Sequence, residues 1–221
     1  MAEKRYESDL TRKEKRHLEW EKIKGMTWKA RFSHIWEYYK PHMAAGLGII
    51  LLLCIIGQII YGAQFDTVCS VAILNSPMGD SEGMAEDFKK YIGDEDKFHE
   101  ITVDSSLIFA GDGQSDYTST MKLTTLIGAQ ELDVMIAPKD QFEHYSDIEA
   151  FYPMKEILTE EQMEKYGDAV TEYGIRIGEN KKLEQFQMTV GEEAYLSVFI
   201  NTKNLENAKS FIEYIYEGGE V

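Results

Sequence analysis

The chain has 221 residues, 43% of them apolar, and a formal net charge of −16. That is apolar enough for a packed core, while the acidic balance excludes nucleic acid and other phosphate-rich polymers as natural partners. The charge is unevenly divided: residues 1–42 hold 11 Lys/Arg and 7 Asp/Glu, net +4, whereas residues 62–221 hold 12 and 32, net −20.

Residues 1–24 mix both charge signs with few apolar side chains, which predicts a solvated helix or tail. In the next stretch Trp28, Phe32, Ile35, Trp36 and Tyr39 recur on one helical face, with Lys29, Arg31 and Lys40 off it. Thr27 is placed to cap this helix and Pro41 to end it. An amphipathic helix of that kind is expected to lie in the inner membrane interface before the chain turns into the bilayer.

Residues 43–61 carry no charge, and Gln58 is their one strongly polar side chain. Nineteen residues at about 1.5 Å each span roughly 28 Å, close to the hydrocarbon thickness of a bilayer. The expected organisation is therefore a cytoplasmic segment (1–42), one transmembrane helix (43–61) and an extracytoplasmic domain (62–221). A cleaved leader fits poorly, because 42 residues precede the apolar run and no Ala-x-Ala follows it. A lipoprotein signal fails at Leu53, which stands where a small residue must precede Cys54. Lys24, Lys29, Arg31 and Lys40 lie in the twenty residues before residue 43 and no Lys or Arg lies in residues 62–81, so the N-terminus is expected inside. Cys69 is the outer domain's single thiol, which leaves it without an internal disulfide.

Beyond the span, short apolar runs alternate with helical patterns, the arrangement of an α/β fold with a mainly parallel sheet covered by helices. Residues 67–75 predict a first strand, and a helix follows with Ala85, Phe88 and Ile92 inward. Residues 98–104 alternate as a half-buried strand. Residues 115–130 predict a helix capped by Ser115 or Asp116, with Thr120, Leu123 and Ile127 inward and Gly128 near its end. The run 132–137 predicts a strand buried on both faces, and Pro138 opens the next helix. Thr159 and Gln162 form a capping box before Gly167. A last strand, 192–201, leads to a helix with Leu205, Ala208, Ile212 and Ile215 inward, closed by Gly218 and Gly219.

The segments "MKLTTLIGAQELDVMIAPKDQFEHY", "FYPMKEIL" and "INTKNLENAKSFIEYIYEG" resemble extracellular solute-binding proteins of bacterial ABC importers. With "TWKARFSHIWEYYK" before a single span, the chain is also similar to membrane proteins of Gram-positive anaerobes that carry such a domain. The resemblance implies a periplasmic-binding-protein-like α/β domain that traps a ligand between two lobes. Residues 62–221 encode about one lobe, with the second absent or reduced to residues 159–182.

No motif carries a reaction. "GDGQSD" has Asp116 where a phosphate loop needs its third glycine. Asp104, Asp112 and Asp116 lack calcium-loop spacing, and the outer domain's histidines, His99 and His144, are too scattered for zinc. Cys69 sits in an apolar strand as a core residue. Neither a cofactor nor a metal is expected. In open α/β sheets small ligands sit beyond the carboxyl ends of the strands, which here offer Asn75, Ser76, Ser105, Lys139, Asp140 and Gln141. The expected function is a non-enzymatic, membrane-tethered binding or interaction module for a small neutral or cationic solute or an envelope protein. The alternative is a shortened substrate-binding component of an ABC importer.

Overall fold

The computed structural model describes residues 11–111, 113–178 and 180–217, which form two units divided between Ala63 and Gln64. In the first unit α1 (Arg12–Gly25) begins with a capping box in which the Glu14 carboxylate accepts the Thr11 backbone N–H at 2.9 Å. Next, α2 runs unbroken from Trp28 to Gly62, about 52 Å at the usual helical rise. The expectation that Pro41 ends a separate aromatic helix is corrected, since the helix continues through it. Proline removes one N–H, but the helical residues on either side of it carry α2 through. Within α2, His42–Gly62 is a 21-residue stretch long and apolar enough to cross a membrane. Trp28 and Trp36 are exposed, while the side chains of Phe32, Ile35 and Tyr39 lie outside the described residues.

The second unit is an α/β domain. Its elements in chain order are β1 (Asp66–Ile73), α3 (Ser81–Tyr91), β2 (His99–Asp104), α4 (Gln114–Gly128), β3 (Val134–Pro138), α5 (Lys139–Ser146), α6 (Met154–Ile157), α7 (Glu160–Tyr166), β4 (Ile175–Arg176), α8 (Lys181–Gln185), β5 (Ala194–Val198) and α9 (Leu205–Glu217). The sheet order is β2-β1-β3-β5-β4. β1 is parallel to β2 and β3, whereas β5 is antiparallel to both β3 and β4. The sheet is thus mixed: the α/β class is as expected, and where a mainly parallel sheet was expected two of the four strand pairings are parallel and two antiparallel.

One sheet face carries Cys69, Val71, Ile73, Ile101, Val134 and Val198 against Met84 and Phe88 of α3 and Ala208, Phe211, Ile212 and Ile215 of α9. The opposite face carries Ala72, Leu74, Met135, Ala137 and Phe199 against Leu123 of α4 and Phe142 and Tyr145 of α5. Residues of the 159–182 segment do not stand apart: Tyr166, Ile175 and Ile177 enter the first of these clusters. Asp80 caps α3 by accepting the Gly83 N–H at 2.9 Å. The Thr159 box forms as expected, the Thr159 N–H donating to Gln162 Oε1 at 2.8 Å.

Helix α4 departs from its reading. Its N-cap is Gly113, held at a φ of 76° that favours glycine, and Ser119, not Thr120, turns inward. The buried stripe is Ser119 and Leu123, flanked by the half-buried Leu126 and Ile127, so Leu123 and Ile127 face inward as read and Thr120 does not. Asp116 serves the loop before the helix, accepting the Ala110 N–H at 2.8 Å. Gly218 and Gly219 lie outside the described residues.

Cys69 is fully buried, and that burial, then the nearby Asp133 carboxylate, push its thiol well above the ordinary range. The 64–221 fragment expressed alone is expected to be a soluble mixed α/β domain whose melting is unaffected by reductant. Its thiol should resist a maleimide until urea unfolds it; rapid native labelling would show that β1 is not sealed in the core.

Candidate functional site

The six loop residues meet at one edge of the sheet. Because β1, β2 and β3 are parallel, their carboxyl ends share that edge, and the antiparallel β5 begins there, Pro138 pairing with Ala194. Three of the six side chains are engaged by the protein itself. Asn75, at a φ of 60°, accepts the Phe109 N–H at 2.7 Å and donates its amide to the Phe109 carbonyl at 3.3 Å. Ser76 is buried beneath the 186–190 segment, where its hydroxyl oxygen accepts the Thr189 N–H at 2.9 Å. The Ser105 hydroxyl bonds that of Ser81 at 2.8 Å. Lys139 and Asp140 are exposed and Gln141 is half-buried, with Lys139 at 3.8 Å from Glu193 in a solvent-facing pair worth little.

A concave feature lies elsewhere. On the sheet face shared with α4 and α5, the stretch of β1 and β2 beside α4 is polar: Ser70 and Thr102 pair their hydroxyls at 3.0 Å, and Asp104 follows Thr102 on the same side. Under α4 this leaves a groove of about 710 Å³. Its lining runs from Asp66, Glu131 and Lys203 at the amino-terminal edge of β1 and β3 to Asp104 and Lys122 at the far end. The five residue steps of β2 make it about 16 Å long at the usual strand rise. None of the six loop residues lines it.

At the far end Lys122 of α4 bonds Asp104 at 2.6 Å and the Ser106 hydroxyl at 3.1 Å. Partial burial pushes the Asp104 carboxyl up, but hydrogen bonds from Lys122 and Ser106 outweigh it and hold the group below the ordinary carboxylate range. Asp104 is therefore charged at neutral pH and clamps α4 to the end of β2. That clamp holds above the ordinary carboxylate range and is lost as pH falls through the lowered value.

At the near end Asp133 is buried, with 1% of its surface exposed. Its carboxylate accepts the Ser70 N–H at 2.8 Å, the Asn204 amide at 3.1 Å and the Thr202 hydroxyl. Asn204 also donates to the Thr67 carbonyl at 3.1 Å. The groove's walls are thus tied together by fully used polar groups. Asp66 and Glu131 are exposed at the mouth, and among the described residues no side chain pairs with either. Sequence reasoning missed this groove because its residues are scattered from 65 to 204; the one local signal was Asp133, a charge inside an otherwise apolar strand.

Among the described residues no group of three or more His, Cys, Asp or Glu is placed to hold a metal ion. Asp112 lies outside them, and Asp104 and Asp116 serve separate contacts. Of the α/β unit's two histidines, His99 bonds Asp94 at 2.7 Å and His144 packs edge-on against Tyr145. Compared with known proteins, the chain matches no family model, no curated protein and no solved structure.

Proposed function

We propose that the chain is a membrane-tethered binding or interaction module of the solute-binding kind, without catalysis, whose N-terminal segment faces the cytoplasm and whose residues 62–221 face outward. The observation that carries this reading is His42–Gly62: a 21-residue stretch of α2 in whose most apolar window no residue is buried in the protein, and from which Leu47, Ile50, Leu53 and Ile59 all project. So large an apolar surface needs lipid or protein around it. The basic residues that precede it and the absence of Lys and Arg from residues 62–81 support the orientation. Trp36 precedes His42 by six residues, about 9 Å along a helix, which suits the headgroup layer at the inner face.

Protease added to intact cells is expected to degrade residues 62–221 while leaving residues 1–42 attached to a membrane fragment. A protected C-terminal domain would overturn the orientation. In-cell photocrosslinking from Lys139 and from Glu131 is the second arm. A captured envelope protein or solute supports the module reading, and an unlabelled domain at both positions argues against it.

A further inference from the structure

We infer that the groove between β1, β2 and α4 binds a small linear organic cation, with an ammonium group held at the Asp66 and Glu131 end and the rest of the molecule laid along the Ser70–Thr102 hydroxyl pair. This deepens the binding-module reading and rests on it.

Volume is the first support, since about 710 Å³ falls within the range of small-molecule sites. The second is composition. The same sheet face is sealed further along by Ala72, Leu74, Met135 and Ala137, all buried. At the next positions Ser70, Thr102 and Asp104 line the groove instead. The Ser70–Thr102 pair is already satisfied within the protein, but each hydroxyl oxygen keeps an acceptor lone pair that a solute's N–H group can meet.

Charge selects the class. Of the four carboxylates in the lining, Asp133 is consumed by its three donors and Asp104 by Lys122 and Ser106. Asp66 and Glu131 face a single unpaired cation among the described residues, Lys203, in a domain of net −20. An anion would enter against that field, whereas an ammonium group is drawn in and finds acceptors at the mouth and at the hydroxyl pair. The length of about 16 Å favours an extended chain over a compact ring.

The test is isothermal titration of the full chain in detergent with putrescine and spermidine, and with glutarate as an anion of comparable length. Saturable binding of an amine, weakened by salt and absent for glutarate, is expected. Asp66→Asn with Glu131→Gln should weaken it at least tenfold. Ser70→Ala with Thr102→Val, which alters neither the mouth charges nor the volume appreciably, should weaken it severalfold and keeps the inference falsifiable if the first pair fails to fold. Absence of binding by both amines overturns the inference, as does binding that neither pair of substitutions changes. Binding abolished only by Lys139→Ala, Asp140→Ala and Gln141→Ala would also overturn it, moving the site to the strand-end loops and leaving the module reading intact. The module reading itself is decided separately by the crosslinking experiment.

Discussion

Asp133→Ala is expected to destabilise the α/β unit by about 3 kcal/mol, near the upper end for loss of a charged acceptor that leaves a buried donor unpaired. The Ser70 N–H, which Asp133 Oδ2 receives at 2.8 Å, lies beside the register shift in the β1–β2 ladder between Thr67 and Cys69. The Asp133 N–H returns the bond to the Ser70 carbonyl at 3.0 Å, so this one residue starts the β1–β3 pairing that continues at Val71 and Val134. Its carboxylate also holds Thr202 and Asn204 at the entry to α9. In the alanine variant the Thr202 and Asn204 donors can turn to groove water; the Ser70 N–H has nowhere to turn. Asp133→Asn keeps one acceptor oxygen and should lose about half as much. Urea unfolding of the full chain, followed through tyrosine circular dichroism, provides the measurement, because all three tryptophans precede residue 43. A loss below about 0.5 kcal/mol, the size expected of an ordinary surface substitution, would refute the anchoring role.

The elements that periodicity announces are those that bury a regular stripe. β1, α3, β3, α7 and α9 fall where apolar spacing and caps put them, with Phe88, Ala208, Ile212 and Ile215 inward as read. Strand direction was less legible. Residues 192–201 alternate equally well in either sense, so their pattern does not announce that β5 runs antiparallel to β3 and β4. Two-residue β4 and four-residue α6 are too short to carry a period. The six loop residues do share one edge, because parallel β1, β2 and β3 end on the same side. What their side chains do depends on partners far along the chain: Asn75 bonds a residue 34 positions on, and Ser76 one 113 positions on. The groove obeys the same rule, being assembled from residues that no local motif connects.

Phe88→Ala is expected to cost about 4 kcal/mol, in the range for emptying a large aromatic side chain from a core. Phe88 is fully buried, meets Phe211 edge-on at 5.0 Å and an 88° interplanar angle, and lies 5.2 Å from Tyr214. These rings join α3 to α9 over the sheet face that carries Val71 and Val134, so the cavity opens between two helices that each have a sheet beneath them and little freedom to collapse. For a domain of this size the melting temperature should fall by roughly 10 °C. Phe211→Ala should cost a similar amount, and the double variant less than the sum by about 1 kcal/mol, since the two rings touch. Strict additivity would mean that α3 and α9 do not share this contact. Phe88 lies on the sheet face opposite the groove, so below its lowered melting point the variant should bind amines as the unaltered chain does. A parallel loss of affinity would show that the groove's shape depends on the packing of both faces and not on its own polar ties at Asp104 and Asp133.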